Sequence, residues 1–271
     1  MTYKKDIPTF VADRWTTLNT DYTVEFSYDT DCVSFLRTHF NEAIAKLFTT
    51  IVAGPHKADL WRLCKLYLYG GVYADVDLVP HLDIDSLDKD ITFYSCKSIV
   101  DNTVFQAFMV QYKPKSPLIF HFLLSFVLNR ADTKSPTEDM YTCLKYNLGG
   151  INIVSEKAYD IRQIKIPVHV GSSTANQKSV NLVYFPSDIV YTIQCDIPLS
   201  FQIENNILTV THTEGWTQDL TVHICIEANE RVLLFKENRG DNGNWITSYV
   251  THKGIKILDS RDLIYFRNKG W

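Results

Sequence analysis

The sequence predicts an α/β protein, a mixed sheet flanked by helices, with a small β-rich appendage at its C-terminal end. Three observations predict it. Between Lys57 and Pro80 an amphipathic helical pattern, a Gly-Gly stop and a short alternating strand follow one another without a break. Helical and strand-like runs succeed each other through the chain up to about residue 218. From Asp219 onward only short strand-like runs remain, separated by polar turns. The expected organisation is therefore a main domain over residues 1–218 and a β-rich extension over 219–271; with 45% apolar content, 271 residues suffice for one sizeable core.

Residues 1–30 read as an opening loop and then a short strand around Thr23, Val24, Phe26 and Tyr28. Val33, Leu36, Phe40, Ile44 and Leu47 carry helical periodicity from Asp31, a candidate N-cap, to Phe48. Gly54-Pro55 breaks the chain before the central helix. There Leu60, Leu63, Cys64, Tyr67 and Leu68 form one apolar face, while Asp59 and Arg62, three apart, share another stripe. Gly70-Gly71 stops the helix, because glycine tolerates the left-handed closing turn. The period then becomes two: Val72, Ala74 and Val76 face one side, Tyr73, Asp75 and Asp77 the other.

Further strands are expected over 91–96 and 103–111, and helices over Pro117–Leu128 and Ser135–Leu148, the second opened by a Ser135/Glu138 capping box. Strands and loops alternate over 165–195, and a late strand starting at Ile207 carries His212 and Trp216 at its end. TVHICIEA, ERVLLFKE, NWITSYV and GIKILD then read as four strands, forming the appendage or edges packed on the main domain.

Two carboxylates one step apart on one strand face repel each other, and a divalent cation bound by hard oxygens removes that repulsion. Asp75 and Asp77 are the candidate pair. An Asp-x-Asp alone is common: Asp29-Thr30-Asp31 and Asp83-Ile84-Asp85 read as turns. An Asp59/Arg62 surface pair alone would contribute only about 0.2–0.5 kcal/mol. It is the uninterrupted run of helix, stop and strand that favours a site. A net charge of −4 gives no basic footprint for nucleic acid. No run approaches a membrane span of roughly 18 apolar residues, and the N-terminus lacks a signal-peptide core. The six cysteines show no Cys-x-x-Cys pair and read as free thiols of a reducing compartment, which points to the cytoplasm, bacterial or of a virus-bearing host.

The block Ala58-Asp59, Arg62, Leu66 to Gly71, Tyr73, Asp75 and Asp77 resembles the signature of family 32 glycosyltransferases and is similar to that of the clostridial glucosylating toxins. The resemblance implies a GT-A type, Rossmann-like fold and retaining transfer of a hexose from a UDP- or GDP-linked donor to a hydroxyl acceptor glycan, as in polysaccharide biosynthesis. It implies Mn²⁺ or Mg²⁺ as cofactor, with Asp75, Asp77 and His212 as metal ligands. Asp59, Arg62, Asp75 and Asp77 would be catalytic, and Asp59, Arg62, Tyr73, Asp75 and Trp216 would bind the donor. Thr137, Glu138 and Asp139 would border the acceptor. Trp15, Asn19, Thr20 and Tyr22 match the family's early turn, with threonine in place of proline, while its first strand, expected before Tyr3, has no counterpart. Two other readings compete: a non-catalytic sugar-nucleotide or glycan-binding relative, and a phosphohydrolase that would need Asp83 or Asp85 beside Asp75.

Overall fold

The computed structural model describes residues 7–129, 135–240 and 247–260. Its helices are α1 (Thr9–Leu18), α2 (Asp29–His39), α3 (Glu42–Thr50), α4 (Gly54–Tyr69), α5 (Pro117–Leu128) and α6 (Pro136–Asn147). The strands are β1 (Gly71–Ala74), β2 (Val79–Pro80), β3 (Phe93–Lys97), β4 (Val104–Gln111), β5 (Ala158–His169), β6 (Gln177–Asn181), β7 (Thr192–Gln194), β8 (Ser200–Glu204), β9 (Ile207–Thr211), β10 (Thr221–Asn238), β11 (Tyr249–His252) and β12 (Ile255–Asp259). The main sheet runs β1-β4-β3-β10-β11-β12-β2, with β5 and β7 also paired to β10. β3 and β10 are parallel, and the other pairings antiparallel, so the sheet is mixed as expected. β6, β9 and β8 form a separate three-stranded sheet.

β1 and β2 stand at opposite ends of that seven-strand path, yet only Asp75 to Leu78 lie between them. Laid flat, strands so placed would be roughly 29 Å apart at the usual spacing. The link reaches about 18 Å at most. The sheet therefore curls until its ends are neighbours, and the stretch containing Asp75 and Asp77 closes the curl.

Strand alternation divides the core in two. Val104 and Met109 of β4 and Val232 and Leu234 of β10 pack toward α3–α6 with Leu60, Leu63, Phe120 and Leu144. Phe108 and Val110 of β4 and Leu233 and Phe235 of β10 pack on the other face with Trp15, Leu78, Leu82 and Ile257. Both faces are covered, which is why these strands read as nearly continuous apolar runs.

Several sequence expectations are corrected. Residues 9–18 form a helix instead of a loop, its Trp15 stacked on Phe108, and no strand forms around Thr23 to Tyr28. The helix expected over 31–48 is two, because Asn41 breaks it and caps α3, accepting from the Ile44 N–H at 2.9 Å. Asp31 is not the N-cap of α2: Tyr28 holds that position, and Asp31 reaches back to its N–H. Ser135 makes no capping bond to α6 and pairs its hydroxyl with Thr137 instead.

The largest correction concerns residues after 218. The two runs expected on either side of an Asn-Glu turn are one strand, β10, irregular only between Glu227 and Glu230, and it runs through the middle of the main sheet. It is no appendage, and β11 and β12 carry the sheet on to β2.

Candidate functional site

The site grows from α4 and β1. The ring of Pro55 lies in the first turn of α4, which starts earlier than the apolar pattern suggests and buries Asp59 and Arg62 along with the apolar face. Gly70 ends it with φ 68° and ψ −153°, a backbone region that other residues enter only at a cost. A Cβ there would sit 2.8 Å from the Gln111 carbonyl oxygen, so β4 passes against the turn at van der Waals contact. β1 follows at once and pairs with β4, Tyr73 opposite Met109 and Ala74 opposite Phe108.

β1 stops at Ala74, one residue before the first carboxylate. The Asp75 N–H still reaches the Ala107 carbonyl at 2.8 Å, but its own carbonyl accepts from Leu78 at 3.1 Å, closing a turn that contains Val76 and Asp77. Asp75 and Asp77 thus belong to the turn that joins the two ends of the sheet, not to a continuous strand.

Arg62 is the centre of the cluster. Only 4% exposed, its Nε donates to the Ala58 carbonyl at 3.2 Å and its Nη1 to the Gln106 carbonyl at 2.5 Å. Nη2 lies 3.3 Å from Asp59 Oδ1 and 3.6 Å from Asp75 Oδ1. The guanidinium rests over the Tyr73 ring at 4.4 Å, and the Tyr73 hydroxyl donates to Asp75 Oδ1 at 2.6 Å. Asp59, Arg62, Tyr73 and Asp75 are therefore one connected unit.

The electrostatics follow from this packing. Burial raises the Asp59 carboxyl above the usual carboxylate range, against the pull of Arg62 and with the help of Asp75. Burial also opposes the charge on Arg62, but Tyr73, Asp75 and Asp59 outweigh it and hold the guanidinium above its ordinary value. The Tyr73 phenol is pushed well up, first by burial and then by Asp75.

The remaining predicted residues lie elsewhere. His212 follows β9 in the three-stranded sheet, where its N–H donates to the Asn176 carbonyl and its Nδ1 accepts from the Glu214 N–H. Trp216 is buried, its indole N–H donating to the Gly171 carbonyl at 2.6 Å and its backbone bridged to Ser173. Among the described residues no three His, Cys, Asp or Glu side chains gather as a metal site, so His212 does not join Asp75 and Asp77. Its strand belongs to a different sheet. Asp139 is occupied in tying α5 to α6, accepting from Ser125 and Asn129. Asp83 caps a 3₁₀ turn and Asp85 pairs with Lys89 and Tyr22, so neither joins Asp75 as the phosphohydrolase reading would need.

Gln106 was not singled out from the sequence. Its backbone oxygen anchors Arg62, and its side-chain nitrogen donates to the Pro136 carbonyl at 2.7 Å, tying the cluster to the start of α6. A polar residue inside the strand run of 103–111 was the available signal.

Does this donor set suit a divalent cation? Asp75 is about one-third exposed, its Oδ1 engaged by Tyr73 and Arg62, while Oδ2 accepts no hydrogen bond among the described residues. Asp77 is partly exposed two residues on. One or two carboxylates completed by water and phosphate oxygens is the way Mg²⁺-type ions are usually held beside a nucleotide. The residues fit.

Asp75 and Asp77 thus form a partly exposed acidic turn organised by a buried arginine, and a family match falls on this segment. Residues 9–94 match the model described as "Glycosyltransferase sugar-binding region containing DXD motif", which runs from α1 to the first two residues of β3 and includes every residue of the Arg62 cluster except Gln106. The match supports a DXD glycosyltransferase region and does not single out family 32. Among solved structures the chain is similar to "PaToxG Glycosyltransferase", at 15% identity and a TM-score of 0.41, over 54% of this chain and 63% of that one. No curated protein matches the chain in sequence. Among the described residues no helix is long and apolar enough to cross a membrane, and all six cysteines are free.

Proposed function

We propose that this protein is a GT-A type glycosyltransferase that moves a hexose from a nucleotide-diphosphate sugar to a hydroxyl acceptor with retention, using Mn²⁺ or Mg²⁺. The observation that carries the proposal is the turn of Asp75 and Asp77, which lies inside the matched DXD region and is tied to a buried arginine. Asp75 and Asp77 would hold the cation, which when bound supplies positive charge to the diphosphate as it departs.

The chain's own residues supply the rest. Asp59 is walled in by Arg62, so its carboxylate is rigid and can accept hydrogen bonds from sugar hydroxyls. That discriminates one hexose from another, because a hydroxyl lacking its partner leaves a buried group unpaired. Arg62 directs its N–H groups to Ala58, Gln106, Asp59 and Asp75, all within the protein. It therefore acts on the donor through the two carboxylates it fixes, rather than by grasping phosphate. A preorganised cluster of this kind needs no rearrangement when charge develops.

The test is thermal-shift screening of UDP- and GDP-sugars with and without Mn²⁺, followed by donor hydrolysis and transfer assays. A Mn²⁺-dependent shift and turnover are expected, both lost in Asp77→Asn. Unchanged turnover in that variant would overturn the assignment, and binding without any turnover would favour the non-catalytic sugar-nucleotide-binding reading.

A further inference from the structure

We propose that Tyr73 is a positioning residue for the cation site: its hydroxyl selects which oxygen of Asp75 is presented to the metal. This rests on the reading of Asp75 and Asp77 as the cation's ligands. Tyr73 and Asp75 are two residues apart on the same side of an extended segment, where side chains stand roughly 7 Å apart at their origins. A phenol is long enough to bridge that gap, and here it does, donating to Asp75 Oδ1 at 2.6 Å. The side chain of Asp75 sits just past the last residue of β1, with no strand geometry of its own to restrict it.

Two contacts converge on the same oxygen. Tyr73 makes the short one, and Arg62, shared with Asp59, stands at 3.6 Å. The Tyr73 ring is itself pinned beneath the guanidinium at 4.4 Å, so the hydroxyl is aimed by packing. The division of labour is chemical. A neutral phenol orients the carboxylate without cancelling its charge, whereas a second cation in the same place would compete with the metal. Oδ1 is held, and Oδ2 is left to bind. Groups that hold a ligand by its second atom typically change metal affinity 10–100-fold when removed.

Tyr73→Phe keeps the ring under Arg62 and deletes only the donor, so it isolates this role. Mn²⁺ binding to wild type and variant would be followed by the electron paramagnetic resonance of free Mn²⁺ in the presence of UDP. Thermal unfolding without metal would be measured beside it. Expected are a Mn²⁺ affinity at least tenfold weaker in Tyr73→Phe, a metal-free unfolding temperature within a few degrees of wild type, and a Mn²⁺ activation constant that rises more than kcat falls. Equal Mn²⁺ affinity in wild type and Tyr73→Phe would overturn the role of Tyr73 and leave the proposed function standing. Absence of Mn²⁺ and Mg²⁺ binding in the wild type would overturn the cation site itself, and this inference with it. A variant with lowered metal-free stability and undiminished affinity would show Tyr73 to be merely structural.

Discussion

Arg62 of α4 and Asp75 of the turn after β1 lie 3.6 Å apart, and the same guanidinium nitrogen reaches Asp59 at 3.3 Å. One buried cation thus serves two carboxylates from two elements. Its removal would leave Asp59 charged, buried and alone.

Arg62→Ala is accordingly expected to destabilise the fold, by about 3–5 kcal/mol, the usual cost of breaking a buried pair from one side. Thermal unfolding would show it. Arg62→Ala combined with Asp59→Ala should cost less than the sum of the two single changes, because the double variant strands no charge. Additive losses in that cycle would argue against the coupling.

Gly70→Ala tests the approach of α4 to β4. The position combines φ 68° with a Cβ site 2.8 Å from the Gln111 carbonyl oxygen, so both backbone conformation and space are refused. A loss of about 1–3 kcal/mol is expected from the backbone conformation alone. Gly71→Ala has a positive φ but nothing within 4 Å, and its loss of stability should be the smaller of the two. Denaturant titration of both variants would check the order.

His121 gives the stability a pH dependence. It is 2% exposed, and burial pushes its imidazole down to about 3. It is therefore neutral when folded, its Nδ1 accepting from the Asn147 amide at 2.9 Å, whereas the unfolded chain protonates it near 6.5. Its contribution is fully present above about pH 6.5 and is lost progressively as pH falls toward 3, since the unfolded state then binds the proton more readily. At pH 5 the loss is about 2 kcal/mol. In His121→Gln the decline in stability between pH 7 and 5 should flatten, and urea titrations across that range would detect a persistent slope.

Trp216→Phe separates two roles for that side chain. Its indole N–H is committed to Gly171, so the variant leaves a buried carbonyl without its donor and should lose about 1–3 kcal/mol of stability. Donor affinity should be unaltered. A UDP-sugar thermal shift that disappears in Trp216→Phe would restore the donor-binding role the sequence suggested.

Much of the fold was legible because it is written locally. The periodicity of Leu60 to Leu68, the stop at Gly70 and the alternation from Val72 are properties of adjacent residues, and each element formed within a few positions of its expected place. Errors fell where local signals conflict with long-range packing. Residues 9–18 have a weak helical pattern that becomes a helix because Trp15 finds Phe108. Glu227 to Glu230 look like a turn, yet the strand continues because β5 pairs with β10 before and after the irregularity, up to Glu227 and again from Glu230.

By itself, then, the sequence determined the helix, the stop and the start of the strand after it, and with them the pairing of Asp59 with Arg62, since i and i+3 meet on any helix. Only the tertiary structure decided that Arg62 would be buried, that Asp75 and Asp77 would lie in a turn with Asp75 beside the same guanidinium, and that His212, just past β9, and Trp216, bridged to Ser173, would stand outside the main sheet. The reason is topological: Gln106 and Ala107, which anchor Arg62 and Asp75 through their carbonyl oxygens, are brought there by the pairing of β4 with β1. Backbone acceptors supplied by a neighbouring strand leave no mark in side-chain chemistry.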